Sequence, residues 1–432
     1  MAKQSVNHSV ICEIVRGVVG INYQLHPVIN PQIGFCIDGK KPVVTVQRIG
    51  APDFNRAVIG GGHALHNGRG DVAAQGADGV GALRRGLWCG ACQQCGHQCG
   101  GGGDLLCSVQ KFHDLCSFAF QGGEPTLAGL DFFRSVVELQ KKYARPGVKI
   151  RNALQTNGFS MDEAWAKFLA EYRFLVGLSL DGPADLHNRN RFDTSGRGTF
   201  NRVIRAARFF EKHGVEYNIL CVVTGQNARS IEKIYHFYRK NGFRWLQFIP
   251  CLEPLGAERG TSVYALTPDT YGDYLIRIFD LWLDDLRHGE YISIRHLDNW
   301  LSILLGEAPE ACSMTGHCST QFVVEGDGGV YPCDFYVLDK WRLGTMGQET
   351  LAQMAQSTTA RAFVQASLPI PEDCRACRFA VICRNGCRRD RVQNPDGTIG
   401  KNYYCASYRR FFSSRESHIH EALQRIQAMR SL

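Results

Sequence analysis

The sequence contains no uninterrupted apolar run long enough to cross a membrane, and even its first twenty residues, MAKQSVNHSVICEIVRGVVG, are broken by Glu13 and Arg16. No membrane partner is therefore expected, and the expected compartment is the cytoplasm. No nucleic-acid recognition motif accompanies the net charge of +8, which is spread along the chain with local clusters at Arg384 to Arg391 and Arg409 to Arg415; these read as solvated faces, so no nucleic acid is expected. Apolar periodicity is scarce in residues 1 to 112. From Gly60 to Gly103, fifteen of forty-four positions are glycine, a texture that can hardly build a packed core.

Cysteine, by contrast, is abundant, at eighteen residues in 432. In a reducing compartment such a content favours metal or redox work over cross-linking. Eight of the eighteen, Cys312, Cys318, Cys333, Cys374, Cys377, Cys383, Cys387 and Cys405, fall in under a hundred residues. Cys374-x2-Cys377-x5-Cys383-x3-Cys387 packs four possible ligands into fourteen residues. Thiolate sulfur suits iron-sulfur clusters and zinc, and eight thiols make two sites of four; count alone leaves zinc open beside clusters. A second group, Cys89-x2-Cys92-x2-Cys95-x3-Cys99, has the spacing of the bacterial ferredoxin run with Gly100 in place of its proline. It reads either as a cluster site or as a tract that binds metal loosely or not at all.

From Leu115 the texture changes. Short apolar runs at Cys116 to Phe120, Val148 to Leu154, Phe174 to Leu180, Val215 to Val223 and Phe243 to Ile249 alternate with helical patterns such as Phe132, Val136, Leu139, Tyr143 and Phe200, Val203, Ala207, Phe210. Continuous apolar strands between amphipathic helices mean a parallel sheet covered by helices, either a βα barrel or a doubly wound sheet. The strand ends decide for the barrel. Gln121-Gly122-Gly123-Glu124-Pro125, Gln155-Thr156-Asn157-Gly158 and Ser179-Leu180-Asp181-Gly182-Pro183 each close a run, and Gln247 lies within another, so polar groups gather on the rim where a parallel barrel holds ligands. Adjacent glycines at 122 and 123 let backbone approach a ligand closely, and the Glu124 carboxylate beside them is expected to accept from a ligand's ammonium group.

The segments SFAFQGGEPTLAGLDFF, LQTNG, FLVGLSLDGP, EYNILCVVT, WLQFIPCLEPL and VYPCDFYVLDKWRLG together resemble the radical S-adenosylmethionine anaerobic sulfatase-maturating enzymes, from about Leu115 to Tyr408, and the C-terminal cysteines resemble that family's two-cluster SPASM extension. The resemblance implies oxidation of a sulfatase cysteine or serine to Cα-formylglycine. It implies an α/β fold, a partial parallel (β/α) barrel at 115–295 followed by a small cysteine-rich SPASM domain at 296–410 and a C-terminal helix at 411–432. S-adenosylmethionine or the substrate pocket would fall to Gly122, Gly123, Glu124, Gln155, Ser179, Arg191 and Leu252. Cys312, Cys318, Cys333 and Cys387 would hold one auxiliary 4Fe-4S cluster, Cys374, Cys377, Cys383 and Cys405 the other. Asp334 would be the general base. The implied partners are a sulfatase polypeptide and an electron donor such as ferredoxin or flavodoxin.

A third, S-adenosylmethionine-binding 4Fe-4S cluster is expected from the family, but the Cys-x3-Cys-x2-Cys motif that would hold it is absent: Cys36 stands alone and Cys89 to Cys99 run in the wrong order. Because family-like sequence starts abruptly at Leu115, the expectation is that residues 1–114 come from a shifted reading frame or a wrongly joined segment. The alternatives are that the ferredoxin-like cysteines replace the motif, or that catalysis is lost and only the auxiliary clusters remain.

Overall fold

The computed structural model describes the backbone of a strand at residues 43–49 and the chain over 115–394 and 398–431. The expectations placed on Cys36 and on Cys89 to Cys99 lie outside the described residues.

Six strands run parallel in one sheet: β2 (Leu115–Gln121), β3 (Lys149–Thr156), β4 (Leu175–Ser179), β5 (Tyr217–Val223), β6 (Trp245–Pro250) and β7 (Ser293–Ile294). β1 (Val43–Ile49) lies antiparallel against β2 and also pairs with β8 (Phe322–Val324), which carries β9 (Gly329–Tyr331) and β10 (Gly344–Thr345), so the sheet order is β10-β9-β8-β1-β2-β3-β4-β5-β6-β7. The apolar runs read from the sequence are these central strands. β2, β4, β5 and β6 are almost continuously buried, as strands covered by helices must be.

Helices return the chain between strands. Leu130–Tyr143 buries Phe133, Val136, Val137 and Gln140, so its inner face is turned from the Phe132/Leu139/Tyr143 stripe, whose members pack half-buried at the edge. The reason is local: Phe133 meets Phe120 of β2 and Trp165 edge-on at ring separations of 5.0 and 5.3 Å, and Gln140 exchanges two hydrogen bonds with Asn152 of β3. Asp162 caps Glu163–Glu171 by accepting from the Trp165 N–H, and Thr267 caps Pro268–Arg287 by accepting from that of Thr270.

The cysteine-rich region is tied to the barrel through aromatic side chains. Tyr271 of helix Pro268–Arg287 lies 4.5 Å from Tyr404, Trp300 stacks on Phe411 at 5.3 Å, and Ser407 donates to the Pro268 carbonyl at 2.6 Å. Helix Cys405–Ser414 thus delivers its first residue, a thiol, against barrel elements. It breaks at Arg415, whose guanidinium meets Asp280, and Glu416–Arg430 follows. Among the described residues no helix is long and apolar enough to cross a membrane.

Candidate active site and thiol clusters

At the carboxyl end of β2, Gly122 and Gly123 take positive φ (+85° and +53°), a conformation open to glycine at no steric cost. The turn so made places Glu124 across from the end of β3. Its Oε1 accepts from Thr126 N (3.1 Å), Thr126 Oγ1 (2.6 Å) and Thr156 Oγ1 (2.9 Å), while Oε2 accepts from Asn157 N (2.7 Å). The carboxylate is therefore a clamp between two strand ends, and only Oε2 retains an acceptor direction for a ligand's ammonium.

Gln155 and Ser179 end the next two strands. A Cβ at Gly177 would strike a Leu220 methyl at 2.5 Å, so the glycine is what lets Leu220 of β5 pack against β4. Just beyond the end of β4, Asp181 accepts both from the Arg191 guanidinium and from Val222 N (3.1 Å), and is itself buried. Its own N–H donates to His187 Nδ1 (3.2 Å), which fixes the tautomer: Nε2 carries the proton and faces Thr199 Oγ1 at 3.1 Å. Burial holds His187 down to about 4, so it stays neutral at ordinary pH. Arg191 is thus aimed by a buried network.

Among the described residues every cysteine is a free thiol, and the eight between 312 and 405 form two groups. Burial is the first cause that raises Cys312 (to about 12), Cys318, Cys333, Cys374, Cys383 (to about 11) and Cys387. The thiols that push one another further up separate cleanly: Cys312 with Cys318, Cys333 with Cys387 and Cys312, Cys387 with Cys312 and Cys318, and apart from them Cys374 with Cys405 and Cys377, and Cys383 with Cys405, Cys374 and Cys377. Cys312, Cys318, Cys333 and Cys387 thus neighbour one another, as do Cys374, Cys377, Cys383 and Cys405. Among the described residues no three His, Cys, Asp or Glu side chains converge at single-ion distance. Four thiols per group is the ligand count of one cubane and of one tetrahedral zinc alike.

Asp334 joins the two halves. It follows Cys333 at the start of a short 3-10 turn, its Oδ2 accepts from Gln121 Nε2 of β2 (3.1 Å), and its Oδ1 accepts from Cys333 Sγ (3.4 Å). Burial raises it to about 6. Gln121, known from sequence only as a rim residue, is the link that brings Asp334 beside Gly122-Gly123; the partner lies 213 positions away, which no local pattern reveals.

A cavity below the end of β6 is lined by Gln247 and Leu252 on the barrel side and by Cys383, Cys387 and Asp390 on the other. His296 also lines it, a residue that sequence reading passed over; burial lowers it to about 3, and among the described residues no group answers its Nε2. Leu252 thus faces both cysteine groups. Arg295, on the same wall, donates to Gln247 (3.2 Å) and Glu310 (3.3 Å).

A parallel barrel with a glycine-rich first turn, followed by two sets of four thiols, defines a radical S-adenosylmethionine protein with an iron-sulfur extension. Comparison with known proteins agrees: the Radical SAM superfamily matches residues 110–238, and the SPASM iron-sulfur cluster-binding domain matches 312–378. The cysteine-type anaerobic sulfatase-maturating enzyme of Clostridium perfringens (strain 13 / Type A) is 51% identical over 298 residues, covering 69% of this chain and 80% of the relative. That of Clostridium novyi is 44% identical over 303 residues (70% and 81%), and the serine-type enzyme of Bacteroides thetaiotaomicron 33% over 311 (68% and 74%). The structure of native anSMEcpe with bound AdoMet and Kp18Cys peptide superposes with a TM-score of 0.70 at 48% identity, over 72% of this chain and 86% of that one. The chain belongs to the anaerobic sulfatase-maturating enzymes.

Proposed function

We propose that this chain oxidises the active-site cysteine of a sulfatase polypeptide to Cα-formylglycine in the cytoplasm, drawing on a one-electron donor such as a ferredoxin or flavodoxin. Higher identity to cysteine-type than to serine-type relatives favours cysteine over serine as the target. Gly122, Gly123, Glu124, Gln155, Ser179 and Arg191 hold S-adenosylmethionine, with Leu252 at the substrate pocket. Cys312, Cys318, Cys333 and Cys387 ligate one auxiliary 4Fe-4S cluster, and Cys374, Cys377, Cys383 and Cys405 the second. When bound, these groups supply the radical that removes an unactivated Cβ hydrogen and an acceptor for the electron that follows.

The observation that carries the reading is the position of Asp334, bonded on one side to Gln121 beside the double glycine and on the other to Cys333. The substrate thiol must lose its proton, and Asp334 is the carboxylate within reach of both halves of the site. Gln121 occupies Oδ2. A ligating Cys333 is a thiolate with no proton to give, so Oδ1 is the oxygen left to receive one. Dithionite and S-adenosylmethionine, added to anaerobically reconstituted protein with a peptide bearing a Cys-x-Pro-x-Arg motif, should yield 5′-deoxyadenosine and a mass change at that cysteine. Cleavage without the mass change would point to a maturase of another peptide.

A second reading, a non-catalytic iron-sulfur remnant, has one observation in its favour: the sequence lacks Cys-x3-Cys-x2-Cys. Iron counting separates the two, since the enzyme needs three four-iron clusters and the remnant two.

A further inference from the structure

The arginine run around Cys387 turns inward. Read from the sequence, Arg384 to Arg391 is a charge cluster expected as a solvated face; in the structure Arg391 is 7% exposed, and Arg388 and Arg389 are half-buried. Arg391 spends its donors on the loops that carry two thiols of the first group. Its Nη2 donates to the carbonyls of Gly316 (2.6 Å), just before Cys318, and of Gly386 (3.0 Å), which precedes Cys387, while Nη1 donates to Ser367 O (2.6 Å) and Nε to Asn385 O (3.2 Å). Ser367 Oγ in turn accepts from Cys318 N (2.8 Å).

Arg388 is enclosed differently. Its guanidinium lies 4.9, 5.2 and 5.3 Å from the ring centres of Tyr336, Trp341 and Phe363, and its Nη1 donates to the Phe363 carbonyl (3.3 Å). Tyr336 closes the short turn that Cys333 and Asp334 begin. Three rings take water from the charge without neutralising it. Among the described residues no carboxylate forms an ion pair with Arg388 or Arg391, and the buried Asp390 between Arg389 and Arg391 is shared by those two with Arg259, so positive charge is in excess. A buried cation needs an anion. Burial presses Arg391 down, and Cys318 and Cys387 are the first groups to push back; on Cys318, which burial raises, Ser367, Arg388 and Arg391 act the other way.

We propose that Arg388 and Arg391 are fixed counter-charges for the auxiliary cluster of Cys312, Cys318, Cys333 and Cys387, positioning residues that favour its reduced form and so fit it to take the electron of the substrate radical. This rests on the proposed maturase reading with its auxiliary clusters. A cubane held by four thiolates carries net negative charge, one unit more once reduced, so guanidiniums that keep their protons stabilise the reduced form the more. Arg389 N, which donates to Cys387 Sγ (3.4 Å), acts in the same direction. In the step itself the substrate S–H bond breaks and its proton passes to Asp334, the carbon radical is oxidised as a carbon–sulfur double bond forms, and the electron reduces the cluster. No arginine proton moves.

An EPR-monitored redox titration of full-length, anaerobically reconstituted protein, without S-adenosylmethionine or peptide, reads the cluster midpoints apart from turnover. Arg388→Gln should shift one auxiliary midpoint about tenfold toward the oxidised form, about 59 mV lower for a one-electron couple, and leave the other in place; Arg388→Lys should restore most of that shift. Arg378→Gln, next to Cys377 but exposed and paired with Glu416, should move neither. An unshifted midpoint in Arg388→Gln, an equal shift in Arg378→Gln, or a shift that Arg388→Lys does not reverse would overturn the proposal. If Arg388→Gln loses its iron, retention by Arg388→Lys upholds the counter-charge, and loss from both overturns it. Absence of any four-iron signal from the unaltered protein overturns the cluster reading itself, and the proposal with it.

Discussion

At the carboxyl ends of β2 to β5, polar groups are answered by other polar groups of the same chain. Glu124 accepts four internal hydrogen bonds, and Asp181 is shared between Arg191 and Val222 N. Between 312 and 405 six thiols, Cys312, Cys318, Cys333, Cys374, Cys383 and Cys387, are instead pushed above their ordinary range, first by desolvation and, for all but Cys318, further by neighbouring thiols. A rim of the first kind is complete without its ligand and can wait for it preformed. In a region of the second kind, metal held by the thiols must first displace their protons, and its binding then becomes part of the region's stability.

The largest expected effect follows directly. Anaerobic iron chelation should expose 312–405 to protease, with cleavage there at least about tenfold faster, while 115–294 keeps its protection. Equal loss of protection in both regions would erase the distinction between them.

The residue that spans the two regions gives the next. Asp334→Asn keeps an acceptor for Gln121 but cannot take a proton, so aldehyde yield should fall about 10²-fold or more while 5′-deoxyadenosine formation persists. Unchanged aldehyde yield would remove Asp334 from the role of base. Within the rim alone, Glu124→Gln should cost about 2–4 kcal/mol in urea unfolding, because an amide puts N–H donors where Thr126, Thr156 or Asn157 already donate. A cost near zero would mean the clamp is decorative.

These two residues also show what the sequence could and could not carry. The strands from 115 to 250 were legible because continuous apolar runs separated by helical periodicity admit few other folds, and Gly122-Gly123 was legible because only a close approach or positive φ requires such a pair. Glu124 was legible as important but not in its role, since half of its donors come from Thr156 and Asn157, 32 and 33 positions on. The thiol sets were visible by spacing, whereas their partition into fours came from a family likeness, because spacing alone does not say that Cys387 neighbours Cys312 or that Cys405 neighbours Cys374. β8 to β10, at two or three residues each, are too short for any periodicity to show.

The smallest effect tests whether the rim network holds itself together through His187. Its ring is fully buried, it accepts from Asp181 N and faces Thr199, and its folded pKa of about 4 lies below the ordinary 6.5. The unfolded chain therefore binds the extra proton first as pH falls. The stability that neutral His187 confers is fully present above pH 6.5, shrinks as pH drops through the window between 6.5 and about 4, and changes no further below it; the loss is at most about 3 kcal/mol. Urea midpoints measured from pH 7.5 to 4 should fall along that window, and His187→Gln, which has no proton to gain, should flatten the slope. Because Asp181 holds Arg191, the same titration in wild type should loosen S-adenosylmethionine binding in step with stability. A pH slope that survives His187→Gln would take the acid sensitivity away from His187 and the rim network, and point to other buried groups such as His296.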